Sequence, residues 1–158
     1  MTTKSRLLSF LDLKDCLYQH DHHPLAYTAR EVATVEHIPE RSFAKTVVVH
    51  SENGYAMALV PANHQLDLDE LRHAMGLHRL RLATEAELQE LFPECELGAM
   101  PPFGNGTLFD YPVYADGMLM GELTIAFNAG THRDLVRMNT KDYQRLVKPA
   151  VLAMAQVG

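Results

Sequence analysis

The stretch Phe43-Ala44-Lys45-Thr46-Val47-Val48-Val49-His50-Ser51-Glu52-Asn53-Gly54-Tyr55-Ala56-Met57-Ala58-Leu59-Val60-Pro61 decides the fold. Phe43 to His50 is β-branched and apolar, and Tyr55 to Pro61 is its counterpart. Ser51-Glu52-Asn53-Gly54 lies between them, and Asn-Gly between two such runs is a strong hairpin signal. Side chains alternate along a strand. Phe43, Lys45, Val47 and Val49 therefore share one face, and Ala44, Thr46 and Val48 the other. A lysine aligned with Phe and Val stands at the mouth of a pocket or is buried at a real cost, or it is a strand-end lysine whose head reaches water.

Outward from this hairpin, helices and strands intermix without a regular βαβ rhythm. Lys4 to Tyr18 carries Leu7, Leu8, Leu11, Leu17 and Tyr18 near helical spacing. His23 to Thr28 reads as a short strand. Thr28 and Glu31 then have the spacing of a capping box, opening a short helix that stops before Pro39. Asp67 with Glu70 caps a helix that Gly76 ends. Leu80 to Ala83 reads as a strand, and Thr84 with Glu87 opens a helix ending near Phe92-Pro93. Strands are expected at Pro112–Ala115, Glu122–Phe127 and Asp134–Met138. Thr140 is placed to cap a last helix, Lys141 to Val147, which Val151 to Val157 would continue past Pro149. The reading is α+β: a single domain over 1–158 with a mixed, curved, partly barrel-like sheet and flanking helices.

Composition narrows the function. Hydrophobic residues make up 47% and charged residues 22% of 158, which argues against a disordered chain. No apolar run approaches the roughly 20 residues that span a bilayer, and no signal-peptide core follows the start, so a cytoplasmic protein is expected. Cys16 and Cys95 cannot build a disulfide framework. Twenty acids against fourteen Lys and Arg give a net charge of −6, which excludes coating of nucleic acid through overall charge. Charge is nevertheless segregated. Arg133, Arg137, Lys141, Arg145 and Lys148 give 133–148 a net of +3, and 67–96 has a net of −5. Segregation of this kind steers a charged partner, or it marks two solvated faces.

Two further segments could carry chemistry. Gly98-Ala99-Met100-Pro101-Pro102-Phe103-Gly104 is a stiff loop in which two prolines remove donors, so the remaining N–H groups could face a ligand or simply build a rigid turn. Asn128-Ala129-Gly130-Thr131-His132 follows an apolar strand, and its small residues allow close backbone approach beside amide, hydroxyl and imidazole donors. Neither is a phosphate-cradling pattern. His20, His22 and His23 cluster, but no HExxH, CxxC or spaced carboxylate pair completes a metal site, and no metal or cofactor is expected. Cys16 reads as core. Cys95 lies near the rigid loop and stays open as a thiol of interest. No complete nucleophile–base–acid set is visible.

In this order, Ser42 to Val49, Leu59-Val60-Pro61-Ala62, Glu96 to Gly104, Phe127 to His132 and Tyr143-Gln144-Arg145-Leu146-Val147 resemble the YbaK and prolyl-tRNA-editing family. The resemblance runs from about His23 to Val151. It implies a mixed, partly barrel-like sheet and hydrolysis of the ester joining a wrong amino acid to tRNA, with a small amino acid such as Ala or Cys on a proline-type tRNA as the first substrate. It implies tRNA as partner, with an aminoacyl-tRNA synthetase as a further candidate. The family's lysine falls on Lys45, its glycine-containing loop on Gly98 to Gly104, and its small-residue turn on Asn128 to His132. Pro101 stands where editing members carry serine in G-x-x-S-P, a departure that bears on amino-acid specificity.

The resemblance gives the residues roles. Lys45, Gly98, Asn128, Thr131 and His132 are the candidate catalytic group, with Lys45 on the terminal nucleotide's phosphate or hydroxyl. Met100, Pro101, Pro102, Phe103, Gly104 and Gly130 are candidates for substrate binding. Arg133, Arg137, Lys141, Arg145 and Lys148 are candidates for RNA binding. An aminoacyl ester is already activated, so positioned water and backbone N–H groups can supply much of the rate. A non-catalytic module that holds an aminoacyl or nucleotide group, and a hydrolase of another small ester, are the competing readings.

Overall fold

The computed structural model describes residues 2–157. In chain order the elements are α1 (Thr3–Leu13), β1 (Tyr18–His22), α2 (Ala29–Val35), a 3-10 turn (Glu40–Ser42), β2 (Ala44–Ser51), β3 (Gly54–Pro61) and β4 (His64–Leu66). Then come α3 (Leu68–Met75), β5 (Leu80–Leu82), α4 (Glu85–Leu91), β6 (Val113–Asp116), α5 (Gly117–Met120), β7 (Thr124–Asn128), β8 (Asp134–Asn139), α6 (Thr140–Val147), β9 (Ala150–Leu152) and β10 (Ala155–Val157). No helix among the described residues is long and apolar enough to cross a membrane.

The β2–β3 hairpin is the longest pairing, from Ala44 opposite Pro61 to Ser51 opposite Gly54. Its turn centre is Glu52-Asn53, one residue earlier than an Asn-Gly turn would be. Gly54 takes φ of 104°, the conformation that three-residue hairpin loops reserve for glycine. β5 and β3 flank β2, β6 pairs parallel with β3, and β9 pairs parallel with β6, giving the order β5-β2-β3-β6-β9. A second sheet runs β1-β8-β7, all antiparallel, and β4 pairs with β10. A single parallel bridge, Phe43 to Ala126, joins the two larger sheets. The α+β architecture with a mixed sheet is therefore as expected.

Both faces of the hairpin are covered, and the covers differ. Ala44 and Val48 pack into the main core with Leu7 and Leu11 of α1, Met57, Leu59, Phe103, Phe127 and Tyr143. Val49 lies on the other face with Ala58, Val60, Leu71 of α3 and Met154. Val32 and Ala33 of α2 close a third cluster over Phe43, Ala126 and Leu135. Apolar side chains thus alternate along β2 as the sequence requires, with Lys45 interrupting the α3 side.

Several local expectations are corrected. His23 to Thr28 is irregular, because Pro24 cannot donate to a ladder. The strand forms earlier instead, at Tyr18–His22, after Asp15 breaks the first helix with φ of 52°. Thr140 is the first residue of α6 rather than its cap; Asn139 occupies the cap position. Residues 148–157 are not helical. Lys148 turns left-handed with φ of 55°, Pro149 follows, and Ala150–Leu152 and Ala155–Val157 become strands. Asp116 explains how they are held. Its carboxylate is buried and accepts N–H bonds from Met118 (2.9 Å), Met154 (2.9 Å) and Ala155 (2.8 Å). It caps the unforeseen α5 and fixes the link between β9 and β10 at once.

Candidate active site

A cavity of about 490 Å³ opens where the two larger sheets part. Its position follows from the pairing of β2. β5 covers β2 only from Val49 to Ser51, and the Phe43–Ala126 bridge covers only its start. Between them one edge of β2 has no strand beside it. Val48 O accepts from Ala83 N at 2.9 Å on that side. Backbone groups two residues apart point the same way in an antiparallel ladder, so the N–H and C=O of Thr46 face the gap. The cavity fills this gap and is lined by Ala44, Lys45, Thr46, Val47 and Val48 along the edge. Leu82, Ala83 and Leu88, then Tyr27, Thr28, Ala29 and Arg30, then Gly98, Met100 and Asn128 complete the lining.

Lys45 is half-buried. Its Nζ donates to the carbonyl of His64 at 2.6 Å, a neutral partner. Burial lowers the ammonium's pKa, and the charge of Arg30 lowers it further. Lys45 thus lines the cavity with its ammonium partly withdrawn from water.

The wall that carries Gly98 and Asn128 is two loops zipped together. Glu96 N donates to Gly130 O and Gly130 N to Ala99 O, each at 2.8 Å. Gly98 and Gly130 take φ of 82° and 94°, which side chains rarely adopt. His132 backs this zipper. Its N–H donates to Glu96 Oε1 at 2.8 Å and its Nε2 to Leu97 O at 2.6 Å. A carbonyl only accepts, so the neutral ring carries its proton on Nε2 and leaves Nδ1 with a lone pair. That Nδ1 is sealed from water and has no partner. Asn128 is 8% exposed, and its Oδ1 is likewise buried without a partner. An unpaired amide oxygen costs free energy unless something donates to it, and this amide belongs to a cavity-lining residue.

The turn is anchored from behind by Asp134. Thr131 Oγ1 donates to Asp134 Oδ2 at 2.7 Å, while His20 (2.8 Å) and His22 (3.3 Å) approach Oδ1. Burial raises the pKa of this carboxyl, but the bonds from Thr131, His20 and His22 and the nearby charge of Lys4 outweigh burial and hold it at about 2. His23 turns elsewhere, with Nδ1 on Pro24 O at 2.7 Å. His20 and His22 therefore brace the turn, and His23 does not.

Of the residues singled out from sequence, Lys45, Gly98, Met100 and Asn128 meet at the cavity. Gly130, Thr131 and His132 stand behind its wall; Gly130 and Thr131 instead line a second cavity of about 370 Å³ with Thr2, Lys4 and Cys95. The thiol of Cys95 donates to Thr3 Oγ1 at 3.3 Å, and burial raises its pKa. Pro101, Pro102, Phe103 and Gly104 are buried beneath the cavity rather than lining it. Phe103 packs edge-on against Phe10, Phe127 and Tyr143, and Tyr143 OH donates to Pro102 O at 2.6 Å. Sequence reading missed Tyr27, Thr28, Arg30, Leu82 and Leu88. The capping pair Thr28 and Glu31 announced the helix that carries Arg30, but not the direction that helix faces.

The model of the aminoacyl-tRNA editing domain matches residues 23–146, which contain every residue that lines this cavity. The chain belongs to that family. It is 36% identical over 101 residues to the multifunctional Ser/Thr-tRNA deacylase ProXp-y of Escherichia coli (strain K12), covering 63% of this chain and 59% of that protein. A proline–tRNA ligase of Thermosipho africanus is 31% identical over 81 residues, which are 51% of this chain and 14% of the ligase. The chain thus spans less than two thirds of the curated relatives it matches. A solved structure described, provisionally, as a trans-editing enzyme for prolyl tRNA synthetase superposes with a TM-score of 0.83 at 26% identity, over 98% of this chain and 97% of that one. A hypothetical protein at 16% identity shares the fold, with a TM-score of 0.85 over 96% of this chain and 99% of its own.

Proposed function

We propose that the cavity hydrolyses the ester bond between an amino acid and tRNA. The observation that carries this is the meeting, in one cavity, of a half-buried ammonium without a carboxylate partner, a left-handed glycine and a partnerless amide, supplied by three distant segments. Lys45 takes the nucleotide end of the substrate. Thr46 N–H on the open strand edge and the backbone around Gly98 are the donors for the developing oxyanion. The side-chain amide of Asn128 holds the substrate's amino end or the attacking water. His132, Thr131 and Gly130 position the wall, and Met100 bounds the side-chain pocket. Pro101, Pro102, Phe103 and Gly104 act in this reading by holding Met100 and Gly98 in place.

Alanine and cysteine on a tRNA for proline are the first substrates in this reading. The Escherichia coli relative, a Ser/Thr-tRNA deacylase, adds serine and threonine. The expected result is single-turnover deacylation of at least one of these four aminoacyl-tRNAs without added metal. Binding of all four with no turnover leaves a binding module instead.

The RNA arm rests on the basic third of the chain. Arg133, Lys141 and Lys148 are exposed. Arg145 is exposed and pairs with Asp142 at 3.3 Å. Arg137 is engaged by Asp21 and Glu36, each at 3.4 Å, so it contributes least. The double variant Lys141→Ala/Arg145→Ala should lower the slope of log affinity against log salt by about one per lost phosphate contact. An unchanged slope and affinity moves the RNA surface elsewhere.

A further inference from the structure

Of the two aromatic residues that line the main cavity, the fold buries one and leaves the other open. Phe43 is fully buried, and Tyr27 is 65% exposed. This exposure is not that of a loose segment. Ala26, just before Tyr27, is buried. Thr28, just after it, caps α2, its Oγ1 accepting from Glu31 N at 3.1 Å. The backbone of Tyr27 is thus anchored on both sides. Its ring leans on His132, with centroids 5.4 Å apart and planes at 58°. His132 Cε1 in turn lies 3.8 Å from where a Cβ on Gly98 would stand. An aromatic ring is therefore held beside the wall that carries Gly98, with most of its surface open. Burial of that surface is favourable, and a ligand with a flat apolar face would supply it.

The substrate's chemistry offers one such face. The side chains of alanine, cysteine, serine and threonine are too small to cover an open aromatic ring. The ribose that bears the ester also bears a nucleobase, on the carbon next to the 2′ position, so the base stands a few bonds from the reacting carbonyl. At an unpaired 3′ end that base has a free π-face, and aromatic side chains hold single-stranded nucleic acid by stacking on it. Building on the deacylase reading above, we infer that Tyr27 is a stacking platform for the terminal nucleobase of the aminoacyl-tRNA, which sets the ribose and its ester against Gly98. The contact does not depend on the amino acid. It reads the nucleoside end of the substrate and leaves the selection of the side chain to the interior of the cavity.

The test uses two semisynthetic aminoacyl-tRNAs with the same amino acid. One ends in adenosine, and the other ends in an abasic ribose that carries the same ester. The readout is the ratio of kcat/KM for the adenosine-ended tRNA over the abasic one. In the wild type this ratio should be about ten or more, the size of one base stacked on an aromatic ring. Tyr27→Phe should keep it, because the ring does the stacking. Tyr27→Leu still covers His132 but has no π-face, and it should bring the ratio to about two or less. A residue that merely covers His132 would leave the ratio unchanged in the leucine variant. Each ratio is internal to one variant, so partial loss of folded protein does not change it. A wild-type ratio near one, or a ratio that persists in Tyr27→Leu, overturns the stacking platform and leaves the deacylase reading standing. A persisting ratio joined to a changed preference between alanyl- and threonyl-tRNA would turn the ring toward the amino acid instead. Failure of the wild type to deacylate the adenosine-ended tRNA with any of the four amino acids overturns both readings.

Discussion

Lys45→Met should lower kcat/KM for deacylation of aminoacyl-tRNA by about a hundredfold while the protein melts within a few degrees of the wild type. The lost interaction is a charged hydrogen bond in a half-buried site, worth roughly 2–3 kcal/mol when its partner is the substrate. Methionine keeps the unbranched stem along Val47 and removes only the charge. The folded protein gives up one bond to His64 O and is released from holding an ammonium in a place where burial already disfavours it. These two effects oppose each other, so stability changes by about 1 kcal/mol or less. Lys45→Ala should lose activity as well, but it also removes the stem. Comparison of the two separates charge from packing. Single-turnover deacylation alongside a thermal melt reads both quantities, and near-wild-type turnover in Lys45→Met would remove the lysine from the nucleotide end of the substrate.

What the sequence disclosed was set by how far apart the interacting residues lie. Thr84 and Glu87 exchange both bonds of a capping box, at 2.8 and 3.1 Å, and Asp67 caps Glu70 N at 3.1 Å. Such signals lie within four residues and can be read directly. β1 is misplaced from sequence because its strand partner, β8, begins more than a hundred residues later. The last residues were misread for the same reason: their order comes from Asp116, through bonds that cross 38 and 39 residues. The alternation of β2 was legible and placed Lys45. The unpaired edge that turns β2 into a cavity wall was not, since it depends on where β5 stops and β7 begins.

The site shows the same division. The three segments were found by their order, but a motif does not separate the residues that touch the cavity from those that prop it. Met100 and Phe103 are three apart in one loop; Met100 lines the space and Phe103 is buried in the main core, edge-on to Phe10, Phe127 and Tyr143. Arg30 shows the converse. Nothing local marks an exposed arginine on a short helix, and only the packing of α2 over Phe43 brings it to the rim.

Gly104→Ala should be the most destabilising single-methyl change in the loop, by about 3 kcal/mol, and should lower the melting temperature by roughly 6–12 °C for a chain of this size. The glycine's backbone conformation is ordinary, so the argument is one of space. A Cβ there would lie 2.3 Å from Tyr111 O, 2.7 Å from Val113 Cγ2 and 3.2 Å from Met57 Sδ. The first of these cannot withdraw cheaply. Tyr111 O accepts from Asn105 N at 2.8 Å, and the neighbouring Pro112 O accepts from Met57 N at 2.8 Å, so moving it breaks the junction between the loop and β3. Gly98→Ala makes the opposite case. Its Cβ would meet only His132 Cε1, at 3.8 Å, and its cost is the left-handed backbone, about 1–2 kcal/mol. Its larger effect should be on turnover, because the methyl group and any relaxation of φ fall at the wall of the cavity. Thermal unfolding and single-turnover deacylation, measured on both variants, decide the matter. A Gly104→Ala protein that melts like the wild type and has lost activity would make Gly104 a substrate contact; one that melts early and retains the wild-type rate per folded molecule makes it a packing residue beneath the site.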